Sequence, residues 1–297
     1  MLAIEPNAGI TPVIDFIKGA HGTLDVNTYL LTDRRILRAL HTAVLRGVRV
    51  RIILAHHPYG GRPRGEVAHI RALGAQIHYA PSRFSGRYVF DHAKYMVARD
   101  TSEMGTANLT WSAFHKNREY LWVTHNRAVH HALEEVFQAD WVGKRAGAHP
   151  RTVLVLSPGA AHALIRVLRT PGPICVEAEE LASDRPILAA LRKKGHDVRL
   201  LLPARLNHYD RRIAETLADR GVRVRLLTRP YLHAKLIAGT REAFMGSQNL
   251  SPSSLDRNRE VGIVLRGPAA RLLARQCRSD FAIGRGLKPR PQRRWYR

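Results

Sequence analysis

The chain has 297 residues, 45% of them hydrophobic and 24% charged, a balance that supports a packed core and excludes a disordered polymer. Its formal net charge of +24 and pI near 11.2 favour polyanionic partners: nucleic acid, anionic lipid headgroups or polyphosphate. No window approaches the roughly 18 apolar residues of a membrane span, and "MLAIEPNAGITPVIDF" lacks the basic and apolar blocks of a secretion signal, so a soluble cytoplasmic protein without stable membrane insertion is expected.

The first predicted element, in "LAIEPNAGITPVIDFI", is a short apolar strand, a Pro-containing turn and a helical pattern. "TLDVNTYLLTD" reads as a strand running toward Asp33. "RRILRALHTAVLRGVRVRIILA" reads as an amphipathic helix giving way to Gly47 and an alternating strand. Another helix and Gly-led strand follow in "RALGAQIHYA". The insertion "PSRFSGRYVF" then interleaves Arg83 and Arg87 with Phe84 and Tyr88. After it, "HAKYMVA" and "EMGTAN" read as neighbouring strands joined by the turn "RDTS".

From the basic, Gly-containing "GKRAGAHPR" at 143–151 the order begins again. "VLVLSPGAAHALIRVL" matches the start of the chain, and "PICVEAEELASD" runs toward Asp184. "RPILAALRKKGHDVRLLLPA" and "LADRGVRVRLL" repeat the helix–Gly–strand units, and "HAKLIA", "GTRE" and "AFMGSQN" close the series. The order predicts an α/β protein built by internal duplication, with two similar mixed, mainly parallel sheets flanked by helices. The halves are expected at 1–147 and 148–284, followed by a basic tail, 285–297, carrying Trp295 and Tyr296. The two cysteines, Cys175 and Cys277, are too few for a disulfide framework or a Cys-based metal site. Cys175, in an apolar run, is expected as a buried, inert thiol.

The strongest signal is a polar constellation in the same register twice. His92 and Lys94 are followed by Gly105-Thr106-Ala107-Asn108 and Asn117-Arg118-Glu119. His233 and Lys235 are followed by Gly246-Ser247-Gln248-Asn249 and Asn258-Arg259-Glu260. His to Asn is 16 residues in both copies, and Asn to Glu is 11 in both. Side chains alternate along a strand, so each half is expected to offer an imidazole, an ammonium, a hydroxyl and a carboxamide on one face. A phosphodiester resists nucleophiles until its charge is neutralised and its leaving group protonated. Two facing half-sites would grip one phosphate with Lys94, Lys235, Asn108 and Asn249, aided by the hydroxyls of Thr106 and Ser247. Glu119 and Glu260 fit the part of carboxylates that orient the imidazoles.

These motifs resemble the phospholipase D superfamily, whose signature of His-x-Lys, a later Asp and Gly-Ser-x-Asn is usually present twice. The resemblance covers nearly the whole chain and implies the family's α-β-α-β-α arrangement. It also implies a two-step reaction through a phosphohistidine, without metal or other cofactor, in which His92 is the nucleophile and His233 the acid/base. The chain departs from the pattern where the family Asp should stand, seven residues after each His: Arg99 and Thr240 occupy those places. Asp100 is one place late and Glu242 two. A further departure is Thr106 in the Ser position, which keeps the hydroxyl.

For the substrate, nucleic acid is favoured. The positive charge is spread along the chain, and Arg83, Arg87 and Tyr88 in the insertion suit phosphate contact and base stacking. A phospholipase or phosphatidyltransferase acting on phospholipid is the alternative, since a basic surface also draws a protein to anionic bilayers. A non-catalytic nucleic-acid-binding protein is a third reading, opposed by the presence of all eight His, Lys, Asn and Glu landmarks. Both copies in one chain imply that a monomer suffices for a complete site.

Overall fold

The computed structural model describes residues 1–287. Each half of the described chain contributes one mixed sheet. In the first, Thr23–Thr28, Arg49–Leu54 and Gln76–Tyr79 run parallel, and on the other side of Thr23–Thr28 come Tyr95–Val97, Ser102–Gly105, Asn117–Thr124 and Leu2–Glu5, each antiparallel to its neighbour. The second repeats the plan: Ile174–Ala178, Val198–Pro203 and Arg223–Leu227 are parallel, and Lys235–Ala238, Glu242–Gly246, Glu260–Arg266 and Val155–Ser157 are antiparallel. The parallel strands are those joined through helices. Tyr95–Val97 with Ser102–Gly105, and Lys235–Ala238 with Glu242–Gly246, are antiparallel because a short turn joins each pair. At the far edge Arg285 and Gly286, the start of the expected tail, pair with Arg225 and Leu226; Trp295 and Tyr296 lie outside the described residues.

Asp33 and Asp184, singled out in sequence as ends of strands, are helix caps. The Asp33 carboxylate accepts from the backbone N–H of Arg35 at the start of Arg34–Leu45. Asp184 accepts from Ile187 at the start of Arg185–Lys194. The outer helices bury Ile17, Ile36 and Leu40 against the first sheet, and Leu164, Ile187 and Leu191 against the second. A third core joins the halves, where Phe137 of helix Arg127–Trp141 and Leu273 and Phe281 of helix Gly267–Ile283 share one apolar cluster.

Contrary to the expectation of a free thiol, Cys175 and Cys277 are disulfide-bonded. The helix Gly267–Ile283 crosses the second sheet and brings the two Cα atoms to 6.0 Å, within bridging range. Pairing across 102 residues was invisible to a reading that weighed each cysteine in its local sequence. Among the described residues no helix is long and apolar enough to cross a membrane.

Candidate active site

Both His-x-Lys segments lie on the seam between the two sheets. The backbone N–H of Arg259 donates to Phe90 O at 2.9 Å, and that of His92 donates to Arg259 O at 2.8 Å. In the mirror arrangement, Tyr231–Leu232 pairs in parallel with Asn117–Arg118. Each histidine is therefore delivered beside the Asn-Arg-Glu segment of the other half. The intervening arginines lock this crossing. Arg118 makes a two-pronged ion pair with Asp280 (2.7 and 3.0 Å), and Arg259 one with Asp140 (2.7 and 2.9 Å), all four residues being buried.

The glutamates consequently serve the opposite histidine. His92 Nδ1 donates to Glu260 Oε2 at 2.9 Å, and His233 Nδ1 lies 2.7 Å from Glu119 Oε1. Both carboxylates are fully buried and held in turn. Glu260 Oε1 accepts from Ser254 Oγ (2.6 Å) and Asn258 Nδ2 (3.1 Å). Glu119 accepts from Thr106 Oγ1 (2.6 Å) and Asn117 Nδ2 (3.2 Å). An imidazole that donates through Nδ1 keeps a free lone pair at Nε2, which is the nitrogen left to meet a substrate.

The lysines complete the cluster. Lys94 Nζ donates to the backbone carbonyl of His92 at 2.7 Å, and Lys235 Nζ to that of His233 at 2.5 Å. The Oδ1 atoms of Asn108 and Asn249 are buried without a hydrogen-bond partner. The glycines three residues before each asparagine are required by crowding. A Cβ on Gly105 would stand 2.1 Å from Tyr120 O, and one on Gly246 2.4 Å from Gly262 Cα.

The site is not symmetric. Tyr29 follows the strand Thr23–Thr28, its ring set edge-on to His92 at 4.7 Å and 5.3 Å from Lys94 Nζ. At the matching turn after Ile174–Ala178 stands Glu179, whose Oε2 accepts from Lys235 Nζ at 2.5 Å and lies 3.4 Å from His233 Nε2. Burial would raise the Glu179 carboxyl, but His233, Lys235 and His92 outweigh it and hold it at about 2. Burial presses His92 below its ordinary value, against the pull of Glu260 and with the help of Lys94. Burial also takes Lys94 down to about 7, opposed by Glu260 and reinforced by Lys235. Glu260 is held below the ordinary carboxylate value, because His92 and Lys94 outweigh its burial.

The profile of a family described as "Cardiolipin synthase, PLD-like domain" matches residues 13–141 and 179–282. The chain belongs to the phospholipase D superfamily. It is 30% identical over 135 residues to cardiolipin synthase A of Pseudomonas aeruginosa, covering 43% of this chain and 26% of that protein. It is 24% identical over 268 residues to the 5'-3' exonuclease PLD3 of Bos taurus, covering 74% of this chain and 53% of that protein. The chain thus spans about a quarter and about half of these relatives. Phosphatidylserine synthase from Haemophilus influenzae Rd KW20 shares the fold, with a TM-score of 0.65, 12% identity, and coverage of 91% of this chain and 83% of that one.

Of the residues singled out in sequence, His92, Lys94, Glu119, His233, Lys235 and Glu260 gather at the seam. Thr106 and Ser247, expected as substrate contacts, are turned inward. Both are fully buried; Thr106 holds Glu119 and accepts from Tyr120 N–H, and Ser247 bonds the backbone of Val261. Their hydroxyls are turned to the neighbouring strand, so they support the site from behind. Arg83 is also withdrawn, its guanidinium spent on Asp140 and on the carbonyls of Gly143 and Lys144. Arg87 lies over the ring of exposed Tyr88, between the paired strands Ser85–Gly86 and Val89–Phe90 that lead into His92. Among the described residues Asp100 accepts from its neighbour Thr101, and Glu242 pairs with Arg266; neither stands in for the missing Asp at the histidines. Sequence reading missed Tyr29 and Glu179. The available signal was their place at the carboxyl end of a parallel strand in each repeat, where open α/β sheets bind ligands.

Proposed function

We propose that the protein is a phosphodiesterase of phospholipase D type, working without metal through a phosphohistidine, with nucleic acid as its substrate. The observation that carries this is the cross-pairing of each histidine with the other half's glutamate, which leaves two Nε2 atoms in one cluster with two lysines. Lys94, Lys235, Asn108 and Asn249 take the nonbridging oxygens of the phosphate. The lone pair of His92 Nε2 attacks phosphorus and forms a P–N bond. The bond to the departing oxygen breaks as that oxygen takes the proton from His233 Nε2. His233 then accepts a proton from water, the resulting hydroxide attacks phosphorus, and the P–N bond breaks to restore His92. Glu179 favours this division of labour: it gives His233 an acceptor for the proton at Nε2, whereas His92 faces the ring of Tyr29 and has no such partner among the described residues.

Nucleic acid is supported by the charge of +24, by the exposed Arg87–Tyr88 pair ahead of His92 and by the likeness to an exonuclease over 74% of the chain. The phospholipid reading, as hydrolase or phosphatidyltransferase, is supported by the likeness to cardiolipin synthase A. Cleavage of labelled single-stranded DNA in excess EDTA, with His233→Ala alongside, separates them. The expected result is cutting by the native protein and none by the variant. Turnover of phosphatidylglycerol vesicles without DNA cleavage would move the assignment to lipid.

A further inference from the structure

A second basic site lies behind the catalytic seam. Side chains alternate at the start of the strand Glu260–Arg266, so Glu260 faces His92 while Arg259, one residue earlier, faces the other way into a cleft of about 510 Å³. Arg83, Arg145, Arg151, Arg257 and Arg259 line this cleft, with Asp256 as its one acidic lining residue. Arg83 and Arg259 share a single buried carboxylate, that of Asp140, through bonds of 2.7 to 2.9 Å. Arg151 donates to the carbonyl of Leu156, and Arg257 to the hydroxyl of Ser253. Among the described residues neither has a carboxylate partner within ion-pair distance. Five guanidinium groups thus gather around two carboxylates, Asp140 and Asp256, with the buried Asp91 carboxyl also acting on Arg259, which leaves positive charge in excess in a partly desolvated recess. Burial and the neighbouring arginines hold Arg83 and Arg151 below their ordinary values, in Arg83 despite Asp140. An anion entering the cleft relieves that repulsion.

We propose that this cleft is a binding site for a phosphate dianion, either free orthophosphate or the terminal phosphate of a small phosphomonoester. Planar guanidinium forks match phosphate oxygens in pairs, and several of them converging suits a doubly charged tetrahedral anion. Leu156 and Pro158 on the wall provide apolar surface for an organic group on the ester. The site is separate from the catalytic phosphate pocket and does not depend on the phosphodiesterase reading. It is nonetheless coupled to it by position, since the carbonyl of Arg259 accepts from the His92 N–H.

Titration calorimetry of the full chain with orthophosphate and with a nucleoside monophosphate tests the site. Lys94→Ala/Lys235→Ala weakens the catalytic pocket; Arg145→Ala/Arg151→Ala, on exposed positions, weakens the cleft. One phosphate equivalent is expected to survive the lysine changes and to be lost, or weakened about tenfold or more, by the arginine changes. Arg145→Glu alone is expected to weaken it as well, which keeps the test valid should the double variant misfold. Tighter binding of the nucleotide than of orthophosphate would assign the ester as ligand; equal binding would assign free phosphate. Loss of all phosphate binding in Lys94→Ala/Lys235→Ala, or phosphate binding indifferent to both arginine variants, would overturn the proposal.

Discussion

His92 and Lys94 set opposite limits on the reaction. A nucleophilic imidazole must be unprotonated, and burial keeps His92 below its ordinary 6.5. A phosphate-binding ammonium must stay protonated, and burial brings Lys94 to about 7. The value of kcat/KM, which reports the free enzyme, is therefore expected to rise through a pKa below 6.5 and to fall as pH rises through about 7. A pH series on a phosphodiester checks this, and a plateau extending beyond pH 9 would refute the part given to Lys94. Glu179 makes a separate prediction. Glu179→Gln removes the negative charge beside His233 and frees Lys235 from its ion pair, so kcat is expected to fall roughly tenfold while KM falls too. A merely structural residue would not lower KM while lowering kcat.

At the scale of elements, the two repeats differ where one strand must bury a charge. Glu103 on Ser102–Gly105 corresponds to Phe244 on Glu242–Gly246, which packs in the apolar core of the second half. Burial alone raises the Glu103 carboxyl to about 8, and its Oε1 has no partner. An acid whose folded pKa is raised binds its proton more tightly when folded. Its contribution is therefore full below the ordinary 4.5 and lost progressively as pH rises toward 8. Glu103→Gln is expected to raise Tm at pH 8.5 and to change it little at pH 4.5, as measured by thermal melts at both. The helix–Gly–strand units and the hairpin turns were legible because they are local, a few residues deciding each, whereas Asp33 and Asp184 were read as strand ends and not as the helix caps they are. The roles given to Thr106 and Ser247 failed because a strand's alternation says which face a hydroxyl takes, but not which neighbour it meets there.

At the scale of the whole molecule, two crossed ion pairs accompany the shared core, Arg118 with Asp280 and Arg259 with Asp140, each joining one half's Asn-Arg-Glu segment to the other half's long helix. Removing one partner of a buried pair leaves an uncompensated charge and costs about 3–5 kcal/mol. Asp280→Asn is expected to lose about that much stability in urea, and to lower kcat because Glu119 follows Arg118 directly. Equal loss in Asp280→Asn and the double variant Asp280→Asn/Arg118→Met would show that the stranded arginine is not the cause.

The sequence by itself determined the duplication, the mixed α/β plan and the eight polar landmarks, because these rest on periodicity and spacing within a few dozen residues. Only the tertiary structure decided which glutamate serves which histidine, since those partners are 168 residues apart for His92 and Glu260 and belong to different sheets. The same holds for Glu179 and Tyr29 around the two histidines, for the bond between Cys175 and Cys277, and for the arginines gathered behind Glu260. Each depends on how the two halves and their long helices pack, and that packing follows from the shared core between them.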